Sequence, residues 1–137
     1  EILEIREAID SSTSYHAAER INDKLKKELK AAMENYNKAA ERRDQKNMIK
    51  WDTEFHRVIV EATGNKVMMH IAEEIRELVL RFRYLYYGGF KRCVHVGIEH
   101  KAIYEAIEQG DARKAKIVAR EHIRTIRDDI LREYENF

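Results

Sequence analysis

Two polar side chains stand on the apolar face of the segment MIKWDTEFHRVIVEATGN, residues 48–65: Asp52 and His56. At about 100° per residue along a helix, placing Asp52 at 0° puts His56 near 40°, Ile59 near 340° and Thr63 near 20°. Met48, Trp51, Phe55, Val58 and Ala62 fill the arc on one side, and Ile49 and Val60 lie on the other. Lys50, Glu54, Arg57 and Glu61 gather on the opposite face. A carboxylate held among apolar groups costs roughly several kcal/mol unless something compensates its charge. The chemistry that suits an Asp and a His one turn apart is metal ligation or a buried ion pair.

Partners are found near the end of the chain. His100 is flanked on its helical face by Val96, Ile103, Tyr104 and Ile107, and His122 by Ala115, Val118, Ala119 and Ile126. His100 precedes Gly110 by ten residues, and His122 follows it by twelve. At a helical rise of 1.5 Å per residue these are ~15 Å and ~18 Å from the turn, so the two imidazoles stand level in a helical hairpin. One such histidine is more often a satisfied core residue, and a D-x-x-x-H pair alone is a weak signal. Three inward histidines and one inward aspartate at matching heights favour a divalent transition-metal site with Asp52, His56, His100 and His122 as ligands. Zinc leads the expectation, and nickel, manganese, cobalt and iron suit the same donors. His16, His70 and His95 lie near helix ends or polar neighbours and read as ordinary residues.

These groups need helices to carry them, and the pattern predicts an all-α protein, an antiparallel bundle of about six helices. The first covers residues 1–20, with Ile2, Ile5, Ile9, Thr13 and Ala17 on one side. The second starts at an Asn22 cap and runs to about Arg43, and the third spans about Asp44 to Thr63. Gly64 stops the third helix and Asn65 caps a long fourth one, with Met68, Ile71, Ile75, Leu78, Val79, Phe82 and Tyr86 inward. Gly88 and Gly89 break it. A fifth covers about Val94 to Gln109. Gly110 and Asp111 then form a stop and restart, and the sixth runs to about Tyr134.

Composition narrows the classes of function. The 137 residues are 44% hydrophobic and 37% charged, with no proline and five glycines, enough for one helical domain with a core. A net charge of +1 with interspersed signs gives no field for nucleic acid or membrane. The single cysteine, Cys93, excludes an internal disulfide and fits a reducing, cytoplasmic setting. No run of about 18 apolar residues suggests a membrane span. The chain opens at Glu1 inside a helical pattern, which reads as a fragment of a longer protein.

The motifs DTEFH with ATGN, then EHKAIYEAIEQGDARKAKIVAREH, resemble the FCD domain, the C-terminal ligand-binding domain of FadR-type regulators in the GntR family. EIREAID at residues 4–10 looks like the family's first helix, with Asp10 where a glutamate is usual. The resemblance spans nearly the whole chain, read as one FCD-like domain over residues 1–137. It implies the same four metal ligands in the family's metal-binding branch, an all-α effector domain that often forms homodimers, and a small carboxylic-acid effector. Members carry an N-terminal winged helix-turn-helix domain, and no basic recognition helix occurs in residues 1–20. Operator DNA is therefore expected to be reached only through a domain absent from this chain.

Arg6 is the first candidate for holding an effector carboxylate, with Asp10, four residues on, as its rival partner. Arg83 is the second candidate. The reading is an effector-sensing domain without enzymatic activity. A metal-dependent enzyme acting on a small organic acid is the alternative. Against it stand the absence of H-E-x-x-H and of E-x-x-H pairs, and the lack of an evident spare carboxylate on the inward faces. A metal that only staples the bundle is the third reading.

Overall fold

The computed structural model describes the backbone of residues 1–86 and 93–135, and the side chains of residues 1–80 and 95–132. The described residues form six helices and no strand: α1 (Ile2–Arg20), α2 (Asp23–Glu41), α3 (Gln45–Ala62), α4 (Lys66–Tyr86), α5 (Cys93–Glu108) and α6 (Ala112–Glu135). No helix among them is long and apolar enough to cross a membrane.

The helix ends follow local chemistry. Asn22, Asp44, Asn65 and Asp111 each turn a side-chain oxygen onto a backbone N–H of the helix that follows, at 2.8, 3.2, 3.0 and 3.1 Å. Gly64 and Gly110 take φ of 64° and 75°, the left-handed conformation that closes α3 and α5. The α2 end is tighter than the sequence suggests: α2 stops at Glu41, and Arg43 turns the chain with a φ of 54° before the Asp44 cap. The break expected at Gly88 and Gly89 lies outside the described residues.

Two apolar clusters make the core. Leu25, Leu29, Phe55, Val58, Ile103, Ile107 and Ala119 belong to the first; Tyr36, Met48, Ile49, Val96, Ile123 and Ile126 belong to the second. Helix α1 lies mainly along α6, α2 along α3, and α5 between α2 and α6. Helix α4 packs mainly on α1 and α3. It therefore buries only a narrow stripe. Ile75 and Val79 are buried, whereas Ile71 and Leu78, expected inward, are exposed, Leu78 by 63%. Phe82 and Tyr86 lie outside the described side chains.

Helix α1 also departs from expectation. Ile5 is 52% exposed, and the buried face carries Arg6, Ser11, Thr13, Ser14, Ala17 and Ala18. Two of these polar groups are satisfied within the helix, Ser11 donating to the Glu7 carbonyl at 2.6 Å and Thr13 to the Asp10 carbonyl at 3.2 Å. A polar face is tolerated here because α1 covers the end of the bundle where the histidines gather.

Candidate metal centre and adjoining pocket

Helix α3 brings Asp52 and His56 inward one turn apart, α5 brings His100 and α6 brings His122. Asp52, His100 and His122 are almost fully buried, at 3%, 0% and 1% exposure. His56 is partly buried, at the edge of the cluster. One ring nitrogen from each of the three histidines lies within 4.8 Å of the others. Their rings pack in a triangle, with centroid separations of 5.6 Å for His56–His100, 5.7 Å for His56–His122 and 5.4 Å for His100–His122. The Gly110 hairpin does set His100 and His122 level.

Asp52 touches two of the three. Its Oδ1 lies 3.0 Å from His100 Nε2 and 3.2 Å from His56 Nε2. Only the contact to His100 is aligned as a hydrogen bond; His56 Nε2 and His122 Nε2 are buried with no hydrogen-bond partner. Phe55 stacks on the His100 ring at 4.3 Å, and Tyr36 meets it edge-on at 4.8 Å. These aromatics fix the imidazole and keep that side dry.

Three ring nitrogens of this cluster, His56 Nε2, His100 Nδ1 and His122 Nε2, are buried without an aligned hydrogen bond, which is uncommon because each leaves a desolvation cost uncompensated. A divalent cation would answer the Nε2 atoms of His56 and His122 at once. Three imidazoles and a carboxylate form a donor set for such an ion, and separations of 3.0–3.2 Å suit neighbouring donors whose metal bonds are about 2.0–2.2 Å long. A void of about 10 Å³ borders His56 and His122. The residues present fit a metal.

Electrostatics point the same way. Burial pushes the pKa of His56 and His100 down, opposed in each case by Asp52. Burial, with His100 and Arg6 nearby, pushes His122 down to about 3. All three are held neutral, the form that ligates.

The structure adds two carboxylates. Glu99 Oε2 sits 3.2 Å from His122 Nδ1, and burial pushes Glu99 up to about 7. Asp10 Oδ2 lies 3.9 Å from His56 Nδ1. By sequence, the inward faces of α3, α5 and α6 lack a spare carboxylate; these two reach the cluster from elsewhere, Glu99 from beside the inward face of α5 and Asp10 from α1. Glu99 was missed because it precedes His100 and points about 100° away from it, toward α6. Only a partner on α6 reveals its role. Both carboxylates face outer ring nitrogens.

His56 also lines a cavity of about 400 Å³ bounded by α1, α3 and α4. Arg6 and Asp10 line it beside His56, and Ile9, Val60, Met69, Ala72, Ile75 and Val79 form apolar walls. Arg6 is 5% exposed and donates from Nε to Asp10 Oδ2 at 3.3 Å. Arg6 thus makes the pair with Asp10 that the sequence offered, and it also borders the cavity. Arg57 and Arg76, not singled out by sequence, also line it, Arg57 paired with Glu54 and Glu61 and Arg76 with Glu73. Arg83 lies outside the described side chains. His16 and His70 form separate ion pairs with Glu19 and Glu74, and His95 is exposed.

The chain's relatives agree with this architecture. No curated protein sequence matches the chain. Among solved structures, E. coli McbR/YncC matches with a TM-score of 0.87 at 15% identity, over 97% of this chain and 64% of that one. The chain thus spans less than two thirds of that protein's length. The FCD domain profile matches residues 1–125. The chain belongs to the FCD domain family.

Proposed function

We propose that this chain is the effector-sensing domain of a bacterial GntR/FadR-type transcription regulator. It holds a divalent metal through Asp52, His56, His100 and His122, and a small carboxylate in the adjoining cavity. The observation that carries the reading is the convergence of three histidine rings and Asp52, with the buried Nε2 atoms of His56 and His122 lacking an aligned hydrogen bond, and with His56 also lining a 400 Å³ cavity bordered by Arg6. Membership of the FCD family and the likeness to McbR/YncC, a GntR-family regulator, support the regulatory part.

A bound divalent cation supplies fixed positive charge beside the cavity. The protein's groups do the rest. Neutral imidazoles present lone pairs, and Asp52 offsets part of the ion's charge. To offer Nε2 to a metal, the neutral His100 ring would carry its single proton on Nδ1 instead of donating it from Nε2 to Asp52. Arg6 offers donors to a carboxylate while Asp10 holds it in place. The apolar walls exclude water and accept the body of the acid.

Zinc is the first metal to test, followed by nickel, manganese, cobalt and iron. In the full regulator this domain forms a homodimer in the cytoplasm, and ligand binding changes the relative pose of two DNA-binding domains. Operator contacts belong to a separate winged helix-turn-helix domain. The domain itself catalyses nothing, and turnover of a small organic acid by the purified chain would contradict that assignment.

The test is metal content of the purified chain, followed by thermal melting with a chelator and with a panel of small carboxylic acids. Near-stoichiometric metal, and a melting rise from one acid that disappears on chelation, are expected. A metal-free protein indifferent to added divalent ions would overturn the metal assignment. A metal-loaded protein indifferent to every acid would leave the ion a structural staple.

A further inference from the structure

We propose that Glu99 is a positioning residue for the metal centre, holding the His122 imidazole with Nε2 inward and free of its proton. The inference rests on the metal-binding reading and extends it to a residue outside the four ligands.

A neutral imidazole carries one N–H, and the partner of one nitrogen decides which nitrogen bears it. His122 Nδ1 lies 3.2 Å from Glu99 Oε2, while His122 Nε2 is buried with no partner. At mildly alkaline pH the carboxylate is ionised and only accepts, so it draws the N–H to Nδ1. That leaves the Nε2 lone pair facing His56 and His100. The opposite tautomer would place an N–H where the cluster needs a donor atom for a metal.

The placement of Glu99 is otherwise expensive. It is half-buried, its hydrogen bond among the described residues is to His122, and Oε1 is buried with no partner. No described lysine or arginine forms a salt bridge with it. A carboxylate placed to stabilise α5 against α6 would face a cation. Facing a neutral histidine, its effect falls on that ring's tautomer, orientation and basicity. His100 is held differently, by Asp52 and by the flanking Phe55 and Tyr36 rings. One turn of α5 therefore supplies a ligand and, one residue earlier, the carboxylate that orients a ligand on the next helix.

The experiment compares wild type, Glu99→Gln and Glu99→Ala at mildly alkaline pH. Nitrogen-15 NMR of the metal-free proteins reads the His122 tautomer, and competition with a chromophoric chelator reads zinc affinity. Wild type is expected to show Nδ1–H. Glu99→Gln keeps a carbonyl acceptor and therefore the tautomer, with zinc binding weakened a few-fold. Glu99→Ala loses the preference and about 10–100-fold in affinity. Glu99→Leu replaces the alanine variant if that one does not fold. Unchanged tautomer and unchanged zinc affinity in Glu99→Ala or Glu99→Leu would overturn the proposal. A wild type that binds no zinc would count against the metal reading, while the tautomer comparison would still decide the role of Glu99.

Discussion

Asp52 on α3 and His100 on α5 meet at 3.0 Å, 48 residues apart in sequence and both withdrawn from solvent. Asp52→Ala removes the acceptor of His100 Nε2 and, in the proposed site, one metal ligand. In the presence of a chelator the variant is expected to lose roughly 1–3 kcal/mol of stability from the unpaired buried imidazole. With zinc present the gap to wild type should widen. Thermal melts under the two conditions provide the check; an equal gap in both would mean that Asp52 is not a ligand.

The three inward histidines make the metal-free domain acid-sensitive. Their folded pKa values lie below the ordinary 6.5, His122 at about 3. The unfolded chain therefore binds protons that the native state refuses. Stability is full above about pH 6.5 and falls as the pH drops toward the folded values, by at most ~1.4 kcal/mol per pH unit for each histidine. Glu99 acts in the opposite sense. Its folded pKa of about 7 exceeds the ordinary 4.5, so its contribution is present below 4.5 and lost as pH rises to 7. Three histidines outweigh one carboxylate below pH 6.5. Denaturant melts across that range in chelator should show stability falling with acid; a flat profile would contradict the neutral, buried cluster.

Arg6→Ala separates the cavity from the metal. The variant is expected to retain metal while losing the melting rise given by a carboxylic acid, because the proposed ligands lie on α3, α5 and α6 and Arg6 on α1. Some stability is lost as well, since Asp10 loses its 3.3 Å partner. Metal content and acid-dependent melting, measured on the same sample, decide the point. An acid response as large as wild type would remove Arg6 from the ligand site.

Gly110 sets the height of His100 against His122. Its φ of 75° penalises a side chain, so Gly110→Ala should cost roughly 1–2 kcal/mol. A Cβ there would meet only the Ala18 carbonyl oxygen at 3.7 Å, so the cost is conformational rather than steric. Metal affinity should stay near wild type, since the hairpin keeps its register. A large loss of affinity with little loss of stability would show that the turn acts on the site directly.

The helices were legible because amphipathic spacing and Asn, Asp and Gly end signals report local physics. The convergence of these side chains was legible for a related reason: Asp52, His56, His100 and His122 each interrupt an apolar arc, and distance from Gly110 relates two of them. Exposure of Ile5, Ile71 and Leu78 was not legible. A helical face says which side is apolar but not how wide a neighbour covers it, and α4 has its main neighbours in α1 and α3. The contacts of Glu99 and Asp10 with histidines were hidden for another reason. Glu99 sits off the inward arc of its own helix, Asp10 reads from sequence only as a partner of Arg6, and the contact of each with a histidine on another helix appears only in the fold.

The central claim is that the histidine cluster binds a metal ion, and the most direct measurement is elemental mass spectrometry of wild type and His122→Ala after identical purification and equilibration with zinc. One metal ion per wild-type chain, with a marked loss in His122→Ala, is the predicted result. A metal-free wild type, or a His122→Ala variant that holds metal as tightly, would contradict the account and leave Asp52, His56, His100 and His122 as a buried hydrogen-bonded network.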